Sequence, residues 1–323
     1  MVRTPRIGSP RRRRPIRPRL ITIGDLMLDV VVRAQASIES GTDVPGSVRF
    51  RLGGSAANTA RAFAGLGGAA AFVGARGQDE LGRRLVAALR ASGVTVHAVA
   101  RRGVTPRLAA IVEPSGQRSF VTDRSVADDL PAAAVKAAWF RSADVLHMPA
   151  YSLLGRPIGT ASMVGARAMR QRGALVSIDL ASRRPLVDAG RAAVRRLLDD
   201  VAADILFANA DEAAAVVGTR RHAQLLEFAP VVVIKEGAAG CRVLWRGDNQ
   251  AEVLEIDVAT RTIAATDTTG AGDAFDAGFL HALVAGGYAA GGLRTTALFR
   301  RAALAGHRSA SRLLTSPRPE LAL

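Results

Sequence analysis

The stretch "TDTTGAGDAFDAGF", residues 266–279, decides how the rest of the chain is read. Two familiar phosphate-binding templates fail on it. A GxxxxGK[ST] loop needs a lysine behind its last glycine, and the chain's two lysines, Lys136 and Lys235, lie in other settings. A GxGxxG fingerprint needs a third glycine where this chain has Phe275, and it belongs behind a first strand, not near the C-terminus. What remains is a tight glycine turn running into an apolar helix. Gly270 and Gly272 let the backbone turn and, with Ala271, present successive N–H groups at a helix N-terminus, which makes an anion hole. Asp273 follows at once. A carboxylate there is unfavourable beside a bare phosphate, but it suits a group that accepts the proton of an incoming hydroxyl while the nest stabilises a phosphoryl group in transfer. The same aspartate could serve only as a charge at the helix N-terminus. The local residues leave both readings open.

Working outward, short β-branched runs alternate with alanine-rich helical patterns. "LITIG" (20–24), "AAAFVG" (69–74), "ADVLHM" (143–148), "ALVSIDL" (174–180), "ADILFA" (203–208) and "VVVIK" (231–235) read as strands. Helical patterns cover 55–67, 79–92, 158–171 and 188–200. Repeated βα units of this kind predict an α/β fold, a doubly wound, mostly parallel sheet with helices on both faces. Two stretches break the alternation, residues 29–52 and 96–122. Both are β-rich, and the second contains "PSG" as a hairpin turn. They are expected to form a small β-sheet lid over the strand ends, excluding water from group-transfer chemistry, with a sheet extension that covers core surface as the alternative.

The net charge of +16 is uneven: eight arginines and no acid fall in residues 1–19, and they supply half of it. Four prolines interleave them and no aromatic residue is present to stack bases, so a disordered arginine-rich leader is expected there and nucleic acid is not the expected partner. A single large domain then runs over 20–323. Cys241 is the single cysteine, which excludes an intrachain disulfide and a multi-thiolate metal site. The apolar run "LITIGDLMLDVVV" is interrupted by Gly24, Asp25 and Asp29, so neither a signal-peptide core nor a membrane span is expected, and the chain reads as cytoplasmic.

"DTTGAGDAF" (267–275) resembles the C-terminal signature of the ribokinase-like, or PfkB, carbohydrate and nucleoside kinases. "GGSAANTARAFAGLG" (53–67) and "FVGARGQDELG" (72–82) resemble the N-terminal signature, in the same order. The resemblance runs from about residue 20 to 314 and implies a kinase using ATP and Mg2+. It makes Asp273 the base that deprotonates the acceptor hydroxyl, and Gly270, Ala271 and Gly272 the anion hole around the γ-phosphate. Asp29, Gly53, Gly54 and Asn58 match the segment that holds the sugar or nucleoside acceptor. Asn209 and Glu212, in "NADE", match an element that organises Mg2+ near the phosphates, although locally they also read as a helix cap with an acidic first turn. Lys235, Gly237 and Gly240, in "KEGAAG", match the turn lining the nucleotide site, where Lys235 is either a phosphate contact or a surface lysine. Asp267 and Thr269 match positions that in many relatives hold a monovalent cation such as K+. A homodimer joined through the lid is common among relatives. The chain departs from ribokinases at Ser55, where they have lysine, and in "LHMPAYSLL" (146–154), which lacks their acidic sugar ligand; ribose is therefore not the expected acceptor. His147 is a packing residue or lines the acceptor pocket. Arg118 and Arg124 are solvated or meet an acidic acceptor. Phe120 and Tyr151 would be the stacking platforms of a nucleoside kinase. A non-catalytic sugar-binding regulator is the reading from a different class.

Overall fold

The short runs of β-branched and leucine residues become buried strands because helices cover them on both sides. The structure, a computed structural model, describes residues 17–115, 117–247, 252–265 and 267–322. The leader up to Ile16 and Thr266 of the glycine motif lie outside the described residues.

The first half of the chain runs β1 (Arg19–Ile23), β2 (Met27–Ala34), β3 (Gly46–Gly53), α1 (Ser55–Gly65), β4 (Ala69–Gly77), α2 (Glu80–Ala91), β5 (Val94–Arg101), β6 (Arg107–Val112) and β7 (Arg118–Asp123). It continues through β8 (Val145–Pro149), α3 (Ala150–Leu154), α4 (Ile158–Arg170), β9 (Leu175–Asp179), α5 (Arg183–Ala189), α6 (Arg191–Val201), β10 (Ile205–Asn209) and α7 (Ala210–Val217). It closes with β11 (Val231–Lys235), β12 (Cys241–Arg246), β13 (Val253–Val258), α8 (Ala271–Ala285) and α9 (Thr296–Thr315).

Nine strands form one sheet in the order β13-β12-β11-β10-β9-β8-β1-β4-β5, parallel except at β12 and β13. Alternate residues of a strand face opposite layers. Ile21 and Ile23 of β1 pack with Met148, Ile178 and the apolar faces of α4 and α6. Leu20 packs on the other side with Phe63 of α1, Leu85 of α2 and Phe279 of α8. From β1 the chain winds outward first to β4 and β5 and then, in the opposite direction, from β8 to β11. That reversal lies between β1 and β8, the place where open α/β sheets bind ligands beyond their carboxyl ends. Among the described residues, no helix is long and apolar enough to cross a membrane.

A second sheet, β3-β2-β6-β7, is the expected lid, with β2 and β6 parallel and the other pairs antiparallel. One expected lid strand belongs elsewhere. "VHAVARR" (96–102) lies in β5 up to Arg101, and β5 pairs in parallel with β4 as the edge of the large sheet. Its alternation has the period of any strand and carries no label saying which sheet it joins. The hairpin between β6 and β7 forms as expected, with Glu113 N–H donating to Gln117 O at 2.9 Å, although Gly116 lies outside the described residues. The helical pattern over 188–200 is two helices, because Gly190 at φ 81° ends one and caps the next.

Candidate active site

Gly270 is the N-cap of α8 at φ 74°, the left-handed region that side chains with a Cβ rarely adopt. The N–H of Ala271 closes the turn by donating to Thr268 O at 3.1 Å, and Ala274 N–H begins the helical ladder on Gly270 O at 2.9 Å. Helix geometry leaves the N–H groups of Gly272 and Asp273 without intrahelical partners. The Ala271 N–H is thus engaged in the loop, while those of Gly272 and Asp273, which follow it, are not.

The Asp273 carboxylate turns across to α1. Its Oδ1 accepts from Ser55 Oγ at 2.7 Å and its Oδ2 from Asn58 Nδ2 at 3.0 Å. Arg61 Nη2 donates to Asn58 Oδ1 at 3.2 Å and so fixes which end of the amide faces the acid. Burial pushes Asp273 up to about 6, assisted by Asp179 and opposed by Ser55, Asn58 and Lys235. Ser55, a mere departure in the sequence, is a direct partner of the candidate base.

Facing this acid is a cradle built on bare backbone. A Cβ on Gly53 would sit 2.0 Å from Asp29 Oδ1, and one on Gly54 (φ 97°) would sit 2.4 Å from Asp25 O. Asp29 on β2 lies opposite Arg51 on β3 in the strand register. Burial, with Asp25 and Asp273 adding to it, pushes Asp29 up to about 7 against the pull of Arg61 and Arg51. A cavity of about 280 Å³ opens beside it, bounded by Asp29, Arg51, Asn58, Arg61, Gly270 and Arg318.

Asp25, which the sequence reading passed over, is buried and accepts from the Tyr151 hydroxyl at 3.1 and 3.0 Å. The Arg124 guanidinium lies 4.9 Å from the centre of the Tyr151 ring and is paired with Asp128. Tyr151 thus has its hydroxyl and one ring face committed, and Arg124 is a structural ion-pair member, not a solvated lid arginine. Phe120 is 52 % exposed on β7. The Arg118 side chain lies outside what is described.

Lys235, at the end of β11, is no surface lysine. Its Nζ is 2.8 Å from Asp179 Oδ2 and 3.2 Å from Asp276 Oδ2, and a Cβ on Gly272 would meet it at 3.3 Å. Burial opposes its charge, yet Asp179, Asp276 and Glu212 hold the ammonium above the ordinary lysine range. Asp276 is pushed well up, by burial first and then by Asp179. His147 hydrogen-bonds Ser177 Oγ through Nδ1 at 3.0 Å, and burial pushes it down to about 4, so it is a neutral packing residue at pH 7.

Asn209 and Glu212 make the capping box of α7, at 2.9 and 2.8 Å, so the local cap reading holds in full. Glu212 is nevertheless pushed up to about 7 by burial and Asp179, with Lys235 opposing. Gly237 (φ 60°) and Gly240 (φ 112°) make the β11–β12 turn; a Cβ on Gly240 would lie 2.2 Å from Val258 O, a packing requirement. Asp267 does not present an oxygen cage for a cation. Its carboxylate accepts from Thr269 N–H at 3.0 Å and pairs with Arg51 and Arg318.

Asp179 and Asp276, like Asp25, are residues that sequence reasoning missed. Asp276 carried a signal, a carboxylate in the apolar run "AFDAGF", whereas Asp179 merely ends a strand.

The chain matches the pfkB family carbohydrate kinase pattern over residues 17–319. It is 30 % identical over 271 residues to fructokinase-2 of Oryza sativa subsp. japonica, covering 79 % of this chain and 77 % of that one. Among solved structures it resembles a probable sugar kinase from Rhizobium etli CFN 42, with a TM-score of 0.77, 25 % identity and coverage of 94 % and 95 % of the two chains. It shares its fold with adenosine kinase from Sinorhizobium meliloti, at a TM-score of 0.73, 23 % identity and coverage of 94 % and 96 %. A glycine nest at the α8 N-terminus and a match along nearly the whole described chain lead to one assignment: this is a ribokinase-like phosphotransferase, a member of the pfkB family of carbohydrate kinases.

Proposed function

We propose that the enzyme transfers the γ-phosphoryl group of ATP to a hydroxyl of a small neutral sugar of the fructose kind, with Asp273 as general base. The observation that carries this reading is the position of the Asp273 carboxylate between the glycine nest and the cradle of Asp29, Gly53 and Asn58. In the step, the acceptor O–H proton passes to Asp273, the acceptor oxygen bonds phosphorus, and the bond from phosphorus to the ADP oxygen breaks. The N–H groups of Gly272 and Asp273 take up charge on the phosphoryl oxygens. Asp29 accepts from acceptor hydroxyls and orients them. The commitment of the Tyr151 hydroxyl and ring face favours a sugar over a nucleoside.

The acids around Lys235 suit a nucleotide that arrives with Mg2+. Asp179 Oδ1 is buried without a hydrogen-bond partner among the described residues, and Glu212 shares its surroundings. Mg2+ favours oxygen ligands and retains waters, so these two residues would hold it through water, and it would supply positive charge at the phosphate oxygens. A homodimer joined through the lid sheet is part of this reading, and Val48 on one edge strand and Phe120 and Val121 on the other are exposed there.

The test is an ATP-consumption screen over fructose, other neutral sugars, acidic sugars, phosphosugars and nucleosides, with Asp273→Asn alongside. The variant should lose about 10²- to 10⁴-fold in kcat while binding ADP nearly as the parent does. Parental turnover in Asp273→Asn would remove the base assignment, and a preference for nucleosides would remove the acceptor assignment.

A further inference from the structure

The residues assigned by resemblance to a monovalent cation do not fit one. On the carboxylate of Asp267, Oδ1 accepts from Thr269 N–H at 3.0 Å, while Oδ2 pairs with Arg51 Nη1 and lies 3.3 Å from Arg318 Nη1. The main-chain carbonyl of Asp267 accepts from Arg318 Nη2 at 2.9 Å. Oδ2 and the main-chain oxygen of Asp267 are thus turned to guanidinium groups and Oδ1 to the Thr269 N–H, and an added cation would lie against two like charges. These three side chains are 15 %, 10 % and 16 % exposed for Arg51, Asp267 and Arg318, so solvent screens them little. Burial works against ionisation of Asp267, yet Thr269 and the two arginines hold its carboxyl at about 2, ionised at every working pH.

We propose that Arg51 and Arg318 together form a built-in cation for the anion-hole loop, so that this kinase works without a monovalent ion. The two arginines come from different ends of the chain. Arg51 is on lid strand β3, opposite Asp29. Arg318 follows α9 on a segment fixed to the same strand by Leu321 N–H donating to Phe50 O at 2.8 Å. Fork-shaped guanidinium groups can bond a carboxylate and a carbonyl at once in a fixed plane, whereas an alkali ion must gather a shell of oxygens. They are positioning residues, neutralising Asp267 three residues before Gly270 and setting the direction of the loop that follows.

The test compares Mg·ADP affinity and sugar turnover in potassium, sodium and choline chloride at equal ionic strength. The parent should differ by less than about twofold among the three salts, and potassium stimulation of about tenfold or more would overturn the proposal. Arg318→Ala should lose about tenfold in ADP affinity in choline chloride and regain part of it in potassium. Parental affinity in choline, or a loss that potassium leaves untouched, would show a role other than that of a cation. Arg318→Lys keeps a charge and should stay near the parent in choline; a loss as deep as that of Arg318→Ala would overturn the proposal too. Because ADP binding is read without an acceptor, an error in the sugar assignment leaves this test intact.

Discussion

Ser55→Ala should move the acid limb of the pH–rate profile without altering the enzyme at high pH. Ser55 opens α1, where alanine is well tolerated, so the substitution removes little beyond the 2.7 Å bond to Asp273 Oδ1. A hydrogen bond to a charged group contributes about 1.5–3 kcal/mol, and the lower end applies because Asp273 keeps some contact with solvent. At about 1.4 kcal/mol per pKa unit, the Asp273 carboxyl, at about 6 in the parent, rises by roughly one unit. The working form of a general base is the carboxylate, present above its pKa and lost as pH falls through it. Raising that pKa therefore shifts the loss upward. The parent-to-variant ratio of kcat/KM should be about fivefold at pH 6, about threefold at pH 6.5 and close to one above pH 8.5. Asp29, pushed up to about 7, titrates in both enzymes and largely cancels in the ratio. A coupled ATP-consumption assay over pH 5.5 to 9, on a saturating salt background, reads the ratio directly. A ratio constant across that range would refute the reasoning, since a merely structural role for Ser55 lowers activity equally at every pH.

Two further substitutions probe the sides of the site separately. Gly53→Ala puts a Cβ 2.0 Å from Asp29 Oδ1, so the carboxylate must move; the acceptor KM should rise on the order of tenfold with the ATP KM little changed, and steady-state kinetics varying each substrate in turn would show an equal rise in both if the cradle were misassigned. Lys235→Met leaves Asp179 and Asp276 buried without their cation and should cost about 3–5 kcal/mol of stability at pH 7. The raised pKa of Asp276 gives the sign: protonating it at lower pH relieves the repulsion, so the gap in urea midpoint between parent and variant should narrow as pH falls, and a gap that widens would contradict the buried triad.

The fold was legible where the signal is local. Short β-branched runs bounded by alanine-rich helical patterns located the central strands to within about three residues, and the glycine spacing in "TTGAGDAF" located the N-terminus of α8. Membership of a strand in one sheet or another is not local, which is why β5 was placed in the lid. The buried triad was illegible for the same reason. Asp179 ends β9 and Lys235 ends β11, and they meet only because β10 lies between those strands in the sheet and brings their carboxyl ends level. Asn209 and Glu212 show the reverse case, since their spacing announced a capping box and the box is there, while Glu212 is lifted to about 7 by burial and then by the charge of Asp179, far away in sequence.

Ser55 separates the two kinds of information most clearly. Its residue type told that a lysine was missing beside the paired glycines, which argued only about what the acceptor is not. The packing of α1 against α8 decides what the serine does, because that contact puts its hydroxyl on the acid that follows the nest. A lysine in its place would lower the carboxyl's pKa by charge, whereas the serine lowers it by a single directed bond and leaves burial to raise it. Burial and Asp179, set against Ser55, Asn58 and Lys235, hold Asp273 at about 6, within reach of neutral pH as a proton acceptor.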